Sequence, residues 1–148
     1  VPPALDQERY WRFALDAHLR ELEAGEGAFF FVFAAHSPDE VIGFVQYSAI
    51  VGEPRHSAHV GYALSEQHAG NGLMAEALRP TLPWAFDTFG LHRLEAYYLP
   101  HNRASGGVLK KLGFRVEGLA REFTQVGQRW EDHLCASLLV HELRGRRP

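Results

Sequence analysis

The stretch His59-Val60-Gly61-Tyr62-Ala63-Leu64-Ser65-Glu66-Gln67-His68-Ala69-Gly70-Asn71-Gly72-Leu73 decides how the chain is read. His59 to Leu64 has the short, apolar and aromatic character of a strand. From Leu73 the apolar positions Leu73, Ala77, Leu78, Leu82, Ala85, Phe86 and Phe89 recur at helical spacing and stop at Gly90. Between strand and helix stands Gln67-x-x-Gly70-x-Gly72. Glycines let the backbone turn sharply and approach a ligand, and the unpaired N–H groups at a helix start favour an anion above them. Pro80 and Pro83 fall inside the helical pattern, each removing a backbone hydrogen bond at a cost of about 3 kcal/mol, so a kink or break is predicted there.

Toward the N-terminus, Trp11, Leu15, Leu19 and Leu22, with Ala14 and His18 beside them, mark an amphipathic helix from Trp11 to Leu22 that ends near Gly25 and Gly27. Phe29-Phe30-Phe31-Val32-Phe33 is too short and too aromatic for a helix and reads as a buried strand. Val41 to Ile50 reads as its hairpin partner across the turn Ser37-Pro38-Asp39. Toward the C-terminus follow a strand from Leu91 to Leu99, a short helix from Arg103 to Leu112, and strands from Arg115 to Val126 and from Arg129 to Val140 joined at Gly127-Gln128. Helix, three strands, helix, strand, helix and two strands predict an α+β fold, a mixed and mainly antiparallel sheet with flanking helices, in a single domain over 1–148.

The bulk properties agree. Hydrophobic residues make up 46% of the 148 and charged residues 22%, the composition of an ordinary globular domain. The longest apolar run, Ala28 to Ala35, is far short of the ~18 residues that cross a bilayer, and the chain is read as soluble and cytoplasmic, with no membrane partner. Val1-Pro2-Pro3 carries no initiator methionine, so the chain is expected to begin inside a longer product. A net charge of −3 and the absence of any basic stripe apart from the tail Arg144, Arg146, Arg147 argue against nucleic acid. Cys135 is the single cysteine, so no internal disulfide forms, and its mid-strand position reads as a small buried hydrophobe and not a nucleophile. Nine histidines raise the question of a metal. His56 and His59, three apart on a strand, point to opposite faces, and no metal is expected.

The glycine pattern alone is weak. Gly70-x-Gly72-x-x-Ala75 also fits a dinucleotide fingerprint, with Glu95 near the distance of a ribose-binding acid. That fingerprint sits in the tight turn itself, however, whereas Ser65 to Ala69 separate this strand from the first glycine. Two further motifs decide the matter: Asn102-x-x-Ser105 and Leu112-Gly113-Phe114. In this order they resemble the GNAT N-acetyltransferase superfamily. Tyr98-Leu99-Pro100-His101-Asn102-Arg103-Ala104-Ser105 and Gly127-Gln128-Arg129-Trp130-Glu131-Asp132-His133 are most similar to its ribosomal-protein-alanine (RimJ/RimL-like) branch, over about Tyr10 to Leu143.

The resemblance implies an acetyl-CoA-dependent N-acetyltransferase. Strands before and after the glycine loop would run parallel and splay apart to admit the pantetheine arm, with backbone groups of Tyr62, Ala63 and Leu64 pairing with it. The amides from His68 through Ala69, Gly70, Asn71 and Gly72 to Leu73, after Gln67, would hold the pyrophosphate, with Lys110 and Lys111 within reach of phosphates or simply solvated. It also implies a first strand that has no counterpart in this chain. The acceptor would be the N-terminal α-amino group of a protein such as a ribosomal protein; the alternatives are a small amine (antibiotic, polyamine or amino acid) or a non-catalytic acyl-CoA sensor, acting as monomer or homodimer. The superfamily's proton-donating tyrosine position holds Leu109. The branch instead implies Ser105 as donor to the thiolate, with Asn102 on the cofactor arm or an ordered water, although both residues also suit helix capping. A related branch's base position holds Thr124, and Glu122, two residues earlier on the same strand face, is the nearest candidate base, followed by Glu95, His59 and Glu76.

Overall fold

The computed structural model describes residues 7–145, with side chains from 12 onward. Val1-Pro2-Pro3 and the tail residues Arg146 and Arg147 lie outside the described residues, as does the side chain of Trp11. The elements in order are α1 (Gln7–Glu23), β1 (Ala28–Ala34), β2 (Ser37–Val51), β3 (Ser57–Leu64), α2 (Leu73–Thr88), β4 (Arg93–Tyr98), α3 (Arg103–Lys111), β5 (Arg115–Val126), β6 (Arg129–Leu139) and α4 (Val140–Leu143), with a single 3-10 turn at Glu66–His68. The strands form one sheet in the order β1-β2-β3-β4-β6-β5. All neighbours are antiparallel except β3 and β4. The α+β expectation is met; α4 was not foreseen. Among the described residues no helix is long and apolar enough to cross a membrane.

The sheet has two unlike faces, set by the two-residue period of its strands. Val45 and Tyr47 of β2, Ala58 and Val60 of β3, Leu94 and Ala96 of β4 and Ala136 and Leu138 of β6 share one face. They pack with Leu78, Leu82, Ala85 and Phe86 of α2 and Leu109 of α3 into the core. The Tyr47 hydroxyl, buried in that core, finds Thr81 Oγ1 of α2 at 2.8 Å. On the other face α1 lies against β1, where the His18 ring stacks on Phe29 at 4.2 Å.

Four expectations need correction. The α1 stripe Leu15, Leu19 and Leu22 is exposed, and α1 instead turns Ala14, Ala17 and His18 toward the sheet, because its contact is the flat aromatic surface of an edge strand. That strand, β1, is half-buried and not buried, since it ends the sheet and leaves Phe33 outside. Ser37-Pro38-Asp39 is not the hairpin turn. The loop is Ala35-His36, and Pro38 falls in a bulge between the pairs Ala34↔Ser37 and Phe33↔Val41, where no ladder hydrogen bond is asked of its missing N–H. Finally, the break allowed for at Pro80 and Pro83 does not occur, and α2 is one helix from Leu73 to Thr88. Both prolines are exposed, so the carbonyls they leave unpaired face water while the opposite side stays packed.

Candidate active site

β3 and β4 pair over three residues only, Ser57↔Arg93, Ala58↔Leu94 and His59↔Glu95. Beyond that, β3 continues from Val60 to Leu64 and β4 from Ala96 to Tyr98 without pairing to each other, each still held on its far side by β2 or β6. The two strands splay. Their facing edges carry backbone groups with no strand partner, a template for an extended ligand.

The gap opens into a cavity of about 660 Å³ lined by Tyr62, Ala63 and Leu64, by the glycine loop and start of α2, and by Asn102, Ala104, Ser105 and Val108 of the α3 region. A smaller recess of about 420 Å³ adjoins it over Asn71, Gly72, Glu76 and Arg79, and Lys111 lines both. Gly70 and Gly72 have φ of +83° and +75°, a conformation side chains rarely adopt, and Gly72 is the N-cap of α2. A Cβ placed on Gly70 would meet nothing within 4 Å, and one on Gly72 only Lys111 Nζ at 3.3 Å. Open space, a helix N-terminus and an ammonium group converge there, which is the chemistry of an anion site.

The amide donors are fewer than expected. His68 N–H donates to Ser65 O at 2.9 Å and Ala69 N–H to Glu66 O at 3.1 Å, spent within the 3-10 turn. The first free donors are therefore Gly70, Asn71, Gly72 and Leu73. The Gln67 side chain is exposed and outside the cavity lining, and His68 Nδ1 lies 2.7 Å from Ser65 Oγ. The same turn separates strand from glycine and removes the tight geometry that the dinucleotide alternative requires.

Asn102 caps α3, its Oδ1 accepting from Ser105 N–H at 3.1 Å. The cap uses only the amide oxygen, and Asn102 is among the residues that line the cavity. Ser105 Oγ lies 2.8 Å from the Tyr62 hydroxyl, which also donates to Ser105 O at 3.1 Å. Burial pushes the Tyr62 phenol up to about 12, against the pull of the Ser105 hydrogen bond, so it stays protonated. Sequence reading enlisted Tyr62 for its backbone and missed this hydroxyl, because the contact spans 43 residues. Leu109, at the tyrosine position, is buried in the core and faces away from such chemistry. Glu122 is not brought to the cavity. It sits exposed at φ +46° in the β5 bulge, its N–H donating to Asp132 Oδ1 at 2.7 Å, with Thr124 on the same exposed strand. Lys110 is exposed and lines neither recess.

Glu95 lies on the opposite sheet face. It accepts from Arg93 Nε at 2.8 Å and from the Tyr97 hydroxyl at 3.2 Å, with His59 Nε2 3.2 Å away. Burial opposes its ionisation, but the Arg93 hydrogen bond and charge, the Tyr97 hydroxyl and the His59 ring outweigh this and lower its pKa.

A comparison with known proteins bears on the same geometry. Residues 1–115 match the family model described as an acetyltransferase (GNAT) domain. The chain is 36% identical over 110 residues to the [ribosomal protein uS5]-alanine N-acetyltransferase of Escherichia coli K12, covering 73% of this chain and 57% of that protein. It is 38% identical over 128 residues to a probable N-acetyltransferase, YjcK, of Bacillus subtilis, covering 86% and 70%. The structure of Mycobacterium smegmatis RimJ in complex with CoA-disulfide superposes with a TM-score of 0.82 at 29% identity, over 90% of this chain and 62% of that one. The chain thus spans little more than half the length of the E. coli relative. With the parallel pair splayed beside a glycine-capped helix, and with the family model matched across both, the chain belongs to the GNAT acetyltransferase domain family.

Proposed function

We propose that the chain transfers the acetyl group of acetyl-CoA to a primary amine, and that this amine is the N-terminal α-amino group of a protein, a ribosomal protein with a small first residue. The observation that carries the reading is the unpaired gap between β3 and β4, beside a single cavity lined by both the Gly70–Gly72 loop and Ser105. The E. coli relative, which acts on a ribosomal protein's alanine by its name, supports the choice of acceptor.

When bound, acetyl-CoA supplies an acetyl thioester. The N–H groups of Gly70, Asn71, Gly72 and Leu73 hold the pyrophosphate, with Lys111 Nζ adding a compensating charge. Tyr62, Ala63 and Leu64 offer backbone partners along the arm. The Asn102 amide orients it, and the apolar wall of Val108, Leu73 and Met74 excludes water. Ser105 Oγ gives its proton at the departing sulfur, while Tyr62 fixes the hydroxyl's position and, being protonated, adds no competing negative charge. No covalent enzyme intermediate is needed.

The test is release of free thiol from acetyl-CoA against peptides beginning in alanine or serine, set beside polyamines, aminoglycosides and amino acids. Turnover with the peptides at a kcat/KM at least tenfold above the small amines is expected. Turnover confined to a small amine would replace the protein acceptor, and none with any amine, despite coenzyme binding, would overturn the transferase reading.

A further inference from the structure

The sheet face turned away from α2 and α3 carries a polar cluster with no part in the cavity. Ala58 and Val60 point into the core, so His59 and Gly61 point the other way. On β4, Leu94 and Ala96 are core residues while Arg93, Glu95 and Tyr97 share the face of His59. His59 and Glu95 are register partners and form the last pair before the strands part. The pair therefore stands at the apex of the gap. His59 Nε2 lies 3.2 Å from Glu95 Oε2, the carboxylate side chain 9% exposed and the imidazole 37%. The carboxylate is sunk behind a ring that solvent can reach.

The cluster is one positive charge short. Arg93 serves two carboxylates: its Nε donates to Glu95, and its terminal nitrogens donate to Glu117 of β5, to which Ser137 of β6 donates at 2.6 Å. Burial raises both the Tyr97 phenol and the Cys135 thiol, so neither of these two neighbours adds a charge. One guanidinium against two carboxylates leaves a net negative site whose accessible member is an imidazole. In front of it the floor is open, for a Cβ on Gly61 would meet nothing within 4 Å. The side wall is the Tyr97 ring, 5.0 Å from His59 and stacked on Phe123 at 4.2 Å.

We propose that His59 takes the proton from the acceptor amine, held for that task by Glu95 as its positioning residue, with the amine arriving over Gly61 beside the Tyr97–Phe123 stack. The inference rests on the acetyltransferase reading and supplies the base which that reading lacks. An α-amino group, with a pKa near 8, reaches the site largely as ammonium at pH 7. One N–H proton passes to His59 Nδ1, Nε2–H being kept toward Glu95, and from there to solvent. The freed nitrogen lone pair forms the C–N bond to the acetyl carbon as the C–S bond breaks with its electron pair on sulfur. The sulfur takes its proton from Ser105, which is replenished by the second proton leaving nitrogen. The products are an amide, a thiol and one proton.

The experiment uses the full chain with acetyl-CoA and an alanine-initiated peptide. His59→Gln is expected to lower kcat about 100-fold or more at pH 7, with KM and coenzyme A affinity within about twofold. The loss should shrink as pH rises past the amine's own pKa, because the peptide then arrives deprotonated. Glu95→Gln should cost roughly 10-fold, and Glu95→Asp should restore part of it. Imidazole ¹⁵N NMR should show the Nε2–H tautomer in the parent and its loss of preference in Glu95→Gln. A kcat within threefold of the parent, a loss equal at all pH values, a parallel loss of coenzyme A affinity, or an Nδ1–H tautomer in the parent would each overturn the assignment. A parent that acetylates no amine sinks the transferase reading and this inference with it, whereas an active parent with an equally active His59→Gln sinks this inference alone.

Discussion

Gly70 and Gly72 hold left-handed backbone angles with almost nothing above them, so a side chain at either would cost strain and fill the space an anion needs. Gly70→Val and Gly72→Val are expected to weaken coenzyme A binding by at least tenfold in calorimetry. The strain itself, about 1–3 kcal/mol, lowers the Tm without unfolding the domain. Unchanged affinity would remove the loop from the site. Ser105 is a different case, since its backbone is held by Asn102 at the N–H and by Tyr62 at the carbonyl, and truncation to alanine removes only the hydroxyl contact to Tyr62. Ser105→Ala should therefore reduce the single-turnover rate by 10-fold or more while coenzyme A affinity stays within about twofold; equal rates would exclude the hydroxyl from proton transfer. Glycine spacing and an Asn-x-x-Ser cap are local patterns, and both could be read before any fold was known. Tyr62 with Ser105, and His59 with Glu95, could not be paired from sequence, because each contact depends on the parallel register of β3 and β4 and on where that register stops.

The elements themselves followed from periodicity, and the errors cluster where local chemistry competed with packing. Pro80 and Pro83 are strong helix breakers in isolation, yet α2 continues because Leu78, Leu82, Ala85 and Phe86 bury one side while both prolines sit on the other. Ser37-Pro38-Asp39 carries turn residues, yet a bulge absorbed them. The proline case can be measured. Pro83→Ala restores an N–H donor to the Arg79 carbonyl and relieves the ring's clash with it, worth about 3 kcal/mol, offset by the roughly 1 kcal/mol of unfolded-state entropy that proline had removed. A net gain of about 2 kcal/mol in urea unfolding is expected, with no change in coenzyme affinity, since Pro83 lines neither recess. A stability equal to or below the parent's would mean that the packed face has already adapted to the proline, leaving no strain to recover.

Across the whole sheet, two antiparallel halves, β1-β2-β3 and β4-β6-β5, meet at a parallel seam only three pairs long. Such a seam admits a ligand, and it leaves the halves to be joined by the α2–α3 core and by the charged cluster. Arg93 of β4 reaches Glu117 of β5 across Ser137 of β6, while His59 and Glu95 face each other over the seam. The Arg93 hydrogen bond, then that of Ser137, holds the Glu117 carboxyl down to about 2, and Glu95 is lowered as well. A carboxylate whose folded pKa lies below its unfolded value contributes stability above the unfolded pKa, near 4.3, and loses it as pH falls through the folded one. The urea midpoint of the parent should accordingly drop as pH falls from about 4.3 toward about 2. Glu117→Gln should flatten part of that slope, its curve lying below the parent's at pH 7 and meeting it near pH 2. Because the Glu117 side chain is 44% exposed, solvent screens the pair, and added salt should narrow the gap at pH 7. If Glu117→Gln keeps the parent's slope between those pH values, the Arg93–Glu117–Ser137 part of the cluster contributes no such stability and the acid sensitivity originates elsewhere in the chain.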